Sequence, residues 1–408
     1  MNAASWRRSL AAIGCAAAMA VVAACSGGAP GGSGSSDSPI KIGVLAELTG
    51  TFSTEAVGVK DVANAWQSWI NTQGGINGHP VEVVLKDTKS QASSAAAAAR
   101  ELVEKDQVQV VTVESGLAAP AVWDYLSSKS IPLLGSDNGT RTDTAPSTYF
   151  TTDIGFPALA EGGAIAAKAA GDDSVASTVC SEVAGCQVFG QTLGQYAGKA
   201  GVAYKGTVSL SATATDATAQ CLQLTGSGTK SIALSLVLVP AKNLVDSCRR
   251  QGYQGNFIVF ASSKSNFDKI GTGRMLGVSY DFPWWADAPP AQKFRDVMKQ
   301  YNVDYYFSFY ATNMWATWSL LTKAMTSNGP AAGKPVTGAD VTAALRAGVK
   351  NETLDGLLAQ PLTFAESGNT QVTCFWPIER TADGTFKTLP VTGKAGNGAT
   401  GDLASSCV

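Results

Sequence analysis

The residues able to do chemistry in this chain gather at the ends of apolar runs. Ser115 follows the run Val108–Val113 and precedes the helix-like segment Ala118–Ser128. A hydroxyl beside free backbone N–H groups at a helix start holds a carboxylate or another anion. The same serine also fits a plain helix N-cap. Ser136, Asp137, Asn138, Gly139 and Thr140 follow a second run, Ile131–Leu134. They offer both donors and acceptors to a ligand, and they equally build a polar turn. Phe52 and Glu55 stand after the first apolar run. A carboxylate at Glu55 would favour a cation or hydroxyls, or serve as a loop charge. Glu47 and Glu114 are acidic candidates with weaker claims. Phe189 offers a ring for stacking or for the core. Trp284 and Trp285, beside Asp281, suit stacking on a sugar or a cation, or packing of their own loop.

Other chemistries lack their residues. The chain has one histidine, His79, in a Gly-His-Pro turn and expected at the surface. A Ser-His-Asp set would therefore depend on that residue alone. No phosphate-binding G-x-x-x-x-G-K-[ST] loop occurs. The cysteine spacings lack the paired pattern of zinc sites. The expectation is a binding protein, not an enzyme, with no cofactor and no metal. Lys+Arg number 30 against 32 Asp+Glu, a formal net charge of −2. No basic excess argues for nucleic acid.

The elements behind these positions alternate. Strand-like runs at 40–45, 81–85, 108–113 and 131–134 are separated by helix-like segments at 57–71, 90–105 and 118–128. The rhythm restarts near residue 155, with strands at 174–179, 207–210, 232–239 and 256–260. Helices fall between them at 158–170, 187–200, 217–226 and 243–251. Further helices are expected at 290–302, 310–328 and 336–348. A closing hairpin is expected around Asp383-Gly384. Strand–helix alternation means βαβ units and parallel sheets, here in two α/β lobes. Ligands of open α/β sheets bind at strand C-termini, and a cleft between lobes is a common site.

The first 24 residues read as an address. Arg7 and Arg8 precede a 15-residue apolar run, Leu10–Ala24, which is short for a membrane span and suits a secretory signal. The run ends in Val22-Ala23-Ala24-Cys25, which resembles a bacterial lipobox and makes Cys25 the expected lipidation site. Residues 25–38 are the lipidated cysteine and a flexible Gly/Ser tether. The expected location is extracytoplasmic, anchored to the cell membrane through Cys25. Six more cysteines suit that oxidising compartment. Six allow 15 pairings; chain order favours Cys180–Cys186, Cys221–Cys248 and Cys374–Cys407.

Several ordered stretches resemble the leucine/isoleucine/valine-binding family of ABC-transporter substrate-binding lipoproteins. They are IGVL…LTG at 42–50, IN…GGINGHPVEVV…D at 70–87, AAAAARELVEKDQVQVV at 95–111 and DSVASTV…VFGQ at 173–191. FRDVMKQYN at 294–302 and VTAALRAG at 341–348 also fit, so the resemblance spans about residues 39–390. It implies a type I periplasmic-binding fold, a Venus flytrap with three crossings between lobes. They are expected near Thr152–Gly155, Phe260–Ser263 and Val372–Phe375. Lobe one is then 39–153 plus 263–371, lobe two 154–262 plus 372–395, and 396–408 a C-terminal tail. It also implies a small polar, amino-acid-like solute, delivered to an ABC permease and its ATPase by a monomeric receptor. A flytrap that signals to a membrane partner is the alternative.

By the resemblance, the Ser115 region grips a ligand carboxylate and the 136–140 loop faces the ligand amine. Phe189 stands where relatives commonly carry tyrosine. The family's acid that pairs with the ligand ammonium falls near Ala261 or Ser262, neither of which is acidic. Asp137 or Glu55 would have to compensate.

Overall fold

The first apolar runs form one sheet, with β1 and β3 buried at its centre. The computed structural model describes residues 38–116, 118–136, 145–182, 184–260, 263–280, 282–304, 308–390 and 394–408. The chain begins with β1 (Ile40–Ala46), α1 (Val59–Thr72), β2 (Val81–Asp87), α2 (Ala92–Glu104), β3 (Val110–Glu114), α3 (Ala119–Ser128), β4 (Leu133–Ser136) and β5 (Tyr149–Thr151). The strands pair in parallel in the order β2-β1-β3-β4-β5. Ile40, Ile42, Val44 and Ala46 belong to the core under α1, while Leu45 packs with residues of α2 and α3. Two-faced burial is why β1 reads as a continuous apolar run and not as an alternation. The turn after α1 needs its glycine. Gly75 has φ +76°, and a Cβ there would lie 1.9 Å from the His79 carbonyl oxygen.

The second lobe runs through α4 (Phe156–Ala169), β6 (Ser174–Cys180), α5 (Ala184–Ala197), β7 (Ala203–Leu210), α6 (Thr218–Gly226), β8 (Ser231–Ser235), α7 (Leu238–Arg250), β9 (Asn256–Phe260), α8 (Lys264–Ile270) and β10 (Met275–Ser279). The chain then supplies α9 (Pro289–Gln300), α10 (Phe309–Asn328) and α11 (Gly338–Gly348), with a 3-10 turn at Leu354–Gly356. It finishes with β11 (Cys374–Arg380), β12 (Phe386–Thr388), β13 (Lys394–Ala395) and β14 (Ser406–Cys407). The second sheet has the order β13-β14-β11-β10-β9-β8-β6-β7, with β12 on β11. β6 to β10 pair in parallel, and β11 adds antiparallel to β10.

Two boundaries differ from the sequence expectation. β10 hydrogen-bonds to β9, and α8 packs on α7, so residues 264–279 belong to the second lobe and not to the first. The crossing expected near Phe260–Ser263 therefore falls after Ser279. Met275–Ser279 is short and contains Gly277, too little pattern to announce a strand. The C-terminal tail is also no tail: β14 pairs with β11, and Cys374 bonds Cys407. The other crossings lie side by side, where Ile154 bridges Val372.

α10 is buried along most of its length and carries the first lobe. Trp66 of α1 and Trp318 of α10 meet with ring centroids 4.5 Å apart, and Trp318 Nε1 donates to Thr112 Oγ1 of β3 at 2.9 Å. Burying two such rings stabilises the lobe by about 2 kcal/mol each or more. Asn313 of α10 donates to Thr152 Oγ1 at 3.1 Å, tying the first crossing to the same helix. No described helix is long and apolar enough to cross a membrane.

Candidate functional site

In the order β2-β1-β3-β4-β5, the chain leaves β1 toward β2 on one side and leaves β3 toward β4 on the other. The crevice of such a sheet opens at the C-terminal ends of β1 and β3, where the strand order reverses. Glu47 stands one residue past β1, and Ser115 one residue past β3. Ser115 Oγ donates to Glu47 Oε1 at 2.8 Å, and the Gly116 N–H donates to the same oxygen at 3.1 Å. Both side chains are shut from solvent, at 0% and 1% exposure. Ser115 does not cap α3; the N-cap position is Ala118.

Glu114, the last residue of β3, is fully buried, and among the described residues neither carboxyl oxygen has a hydrogen-bond partner. Burial, then the nearby charge of Asp153, hold its carboxyl well above the usual range. Asp153 lies in the first crossing, and its Oδ1 accepts from the Ile154 N–H at 2.7 Å.

Glu55, in the loop after β1, reaches across to the second lobe. Its carboxylate accepts from Asn266 Nδ2 of α8 at 3.0 Å. Burial raises its pKa; the Asn266 hydrogen bond and the Lys269 charge oppose that in part. Ser263 caps α8 by accepting from the Asn266 N–H, which sets the helix start that presents Asn266. Phe52 sits in the same loop, half-buried, and its N–H donates to Ser90 Oγ at 3.1 Å.

Two aromatic candidates pack against other rings of the fold. Phe189 is 1% exposed and meets Phe260 edge-on at 4.6 Å. Trp284 is buried between Trp285 and Phe386, at 5.3 and 4.9 Å. Trp285 Nε1 donates to Thr388 Oγ1, which fastens this loop to β12. His79 is 1% exposed, not at the surface, with Nε2 3.2 Å from the carbonyl oxygens of Pro330 and Ala331. Its turn is covered by the connection from α10 to α11. Asp137, Asn138, Thr140, Ser262 and Cys25 lie outside the described residues.

The structure therefore joins Glu47 to Ser115 at the ends of β1 and β3, and Glu55 to Asn266 of α8. Glu47 had a weak claim in the sequence and Asn266 none. Strand order and the α8 placement, which define their roles, leave no local pattern. Among the described residues, no group of three His, Cys, Asp or Glu could hold a metal. Cys221–Cys248 and Cys374–Cys407 are bonded as expected. Cys180 is also disulfide-bonded, while the side chain of its expected partner, Cys186, is outside the described part.

A family described as periplasmic binding protein matches residues 39–385. The fold resembles the leucine binding protein LivK of Thermotoga maritima MSB8, with TM-score 0.67 and 18% identity over 86% of this chain and 97% of that one. It also resembles the branched-chain amino acid transporter substrate binding protein LivJ of Streptococcus pneumoniae, solved with isoleucine. There the TM-score is 0.69 and the identity 16%, over 91% of this chain and 99% of that one. An extracellular ligand-binding receptor from Rhodopseudomonas palustris HaA2 gives 0.69 and 17%, over 86% and 99%. No curated protein matches the chain.

Proposed function

Because the chain belongs to the periplasmic binding protein family, we propose that it is the solute receptor of an ABC importer. It captures a small polar solute between its lobes and delivers it to a permease driven by a separate ATPase. The observation that carries this reading is the pair of structures facing one crevice. Lobe one contributes the reversal point between β1 and β3, and lobe two reaches it through the Asn266–Glu55 hydrogen bond. Closing on a solute needs higher affinity in the closed state than in the open one. Polar groups on both walls supply such a difference, since a ligand touches both only when the lobes meet. The three crossings act as the hinge, with Ile154 and Val372 side by side. The receptor works as a monomer, exported and held at the membrane by a lipid on Cys25.

A thermal-shift screen tests the reading. Neutral amino acids, amides, polyols, sugars, quaternary amines and aromatic acids are offered singly. A solute at 100 times its Kd stabilises the native state by about 2.7 kcal/mol. The expected outcome is a shift with one chemical class, and a solute recovered chemically unchanged. Turnover of the solute would refute a receptor role. For the anchor, partition of the full chain into detergent and its loss in Cys25→Ala is the expected pair of results.

A further inference from the structure

A second cavity lies outside the crevice. It holds about 680 Å³, within the range of small-molecule sites. Residues of α1, α9 and α10 line it, with the 3-10 turn Leu354–Gly356 and a last 3-10 turn, Gly401–Leu403. Trp69 stands ten positions after Val59, the start of α1, about 15 Å along the helix from the end that follows the β1 loop. Leu354, Leu357 and Leu403 line the cavity together with Trp69 and Trp315, whose ring centroids are 5.5 Å apart. Leu403 is fixed by its carbonyl, which accepts from Trp376 Nε1 of β11 at 2.9 Å. Two polar groups in this apolar setting are donors without an acceptor. Lys293 of α9 holds its Nζ 4.7 Å from the Trp69 ring centroid and pairs with no acid among the described residues. Lys323 of α10 meets Glu352 at 2.7 Å, so its charge is already taken up. Trp315 is 2% exposed, and its Nε1 donates to no described group. That nitrogen is not sealed in, so the small surface Trp315 keeps includes it. Among the described lining residues the one acid, Asp355, is exposed, where water and salt screen its charge. An indole ring stabilises a cation set over it, and a carboxylate brought to that cation adds a charge-assisted hydrogen bond. A largely buried indole N–H likewise gains from an acceptor.

We propose that this cavity is a second ligand site and takes a small organic acid with an apolar or aromatic body. The carboxylate goes to Lys293 and the Trp315 N–H, which stand against the same ring, Trp69. The body covers the leucine wall. Lys293 sets the preference for an anion over a neutral ligand, because it is the lining cation whose charge no acid takes up. The inference does not depend on what the β1/β3 crevice binds, and both sites can be filled at once.

Matched acids and amides test it. Benzoate, phenylacetate, cinnamate and indoleacetate are titrated calorimetrically into the full chain in detergent, each beside its primary amide. The expected result is at least one acid that binds about tenfold tighter than its amide, or more. Lys293→Gln, at an exposed position, should remove that preference, and Lys293→Arg should keep most of it. Trp315→Phe keeps a ring without the N–H and should weaken the acid several-fold. If that variant fails to fold, the two Lys293 variants decide alone. Equal binding of acid and amide in every pair, or binding by neither, overturns the inference. So does a preference that survives Lys293→Gln, which would place the acid elsewhere, the crevice included. Each of those outcomes leaves the receptor reading standing.

Discussion

Glu114 sets a sign that titration can read. Its folded pKa is raised, by burial first and by the Asp153 charge second. The unfolded state therefore ionises at lower pH than the folded state does. Stability is full below the ordinary carboxylate pKa of about 4.3. It falls as pH rises from there toward the raised folded value. Glu55 pulls in the same direction, with burial outweighing the Asn266 hydrogen bond and the Lys269 charge. Glu114→Gln should flatten the decline in Tm between pH 4 and 8 relative to wild type. An unchanged slope would remove Glu114 as its source. The Glu55–Asn266 bond is best measured by a double-mutant cycle with alanine at each position. It should give a coupling of about 1 kcal/mol in denaturant unfolding, discounted for the half-buried setting. A coupling near zero would mean that the bond does not join the lobes in solution.

At the scale of elements, the closing strands are held by covalent and aromatic contacts. Cys374–Cys407 closes a loop of sequence separation 33 and fixes β14 on β11. A loop of that size is worth about 3–4 kcal/mol in the chain-entropy account. Replacing both cysteines by alanine should lower Tm by several degrees. It should also speed amide exchange in β13 and β14 before the rest of the second sheet. Protection unchanged at 394–407 would contradict this view of the C-terminus. In lobe one, Trp318 joins α10 to α1 through Trp66 and to β3 through Thr112. Trp318→Ala should cost about 3–5 kcal/mol. Trp318→Phe, which keeps a ring but loses the 2.9 Å hydrogen bond, should cost clearly less. Equal losses in equilibrium unfolding would show that the hydrogen bond, and not the ring, holds the helix.

For the whole molecule, the receptor reading predicts closure of the two lobes, which among the described residues meet through the Ile154–Val372 bridge and the Glu55–Asn266 hydrogen bond. Phe375 and Val278 press on Gly162 of α4, where a Cβ would come within 3.1 and 2.9 Å. That close approach seats the helix after the first crossing on the second sheet, so hinge rotation carries α4 and the sheet together. Gly162→Val should therefore disturb both stability and closure. Small-angle scattering should show a smaller radius of gyration with bound solute in the wild type and a weaker change in the variant. A full change in the variant would detach α4 from the hinge.

The alternating α/β pattern was legible in the sequence because apolar periodicity is local. β9 at 256–260, for example, was readable to the residue, since a short apolar run between a helix and a turn admits little else. Order along the chain also favoured Cys221–Cys248 and Cys374–Cys407. Ser115 stood out because a hydroxyl after a strand and before a helix is itself a local arrangement. What the sequence left open depends on which strands become neighbours. Glu47 became the partner of Ser115 only because β1 lies beside β3, 68 positions away in the chain. Glu55 met Asn266 across a separation of 211. β10 joined the second sheet through backbone bonds that a short, glycine-containing run does not announce. Phe189 and Trp284 were aromatic in either reading, and the tertiary structure sets them against Phe260 and Phe386. Side-chain type and spacing fix local structure, while the partner of a buried charge is chosen by the tertiary fold that removes it from water.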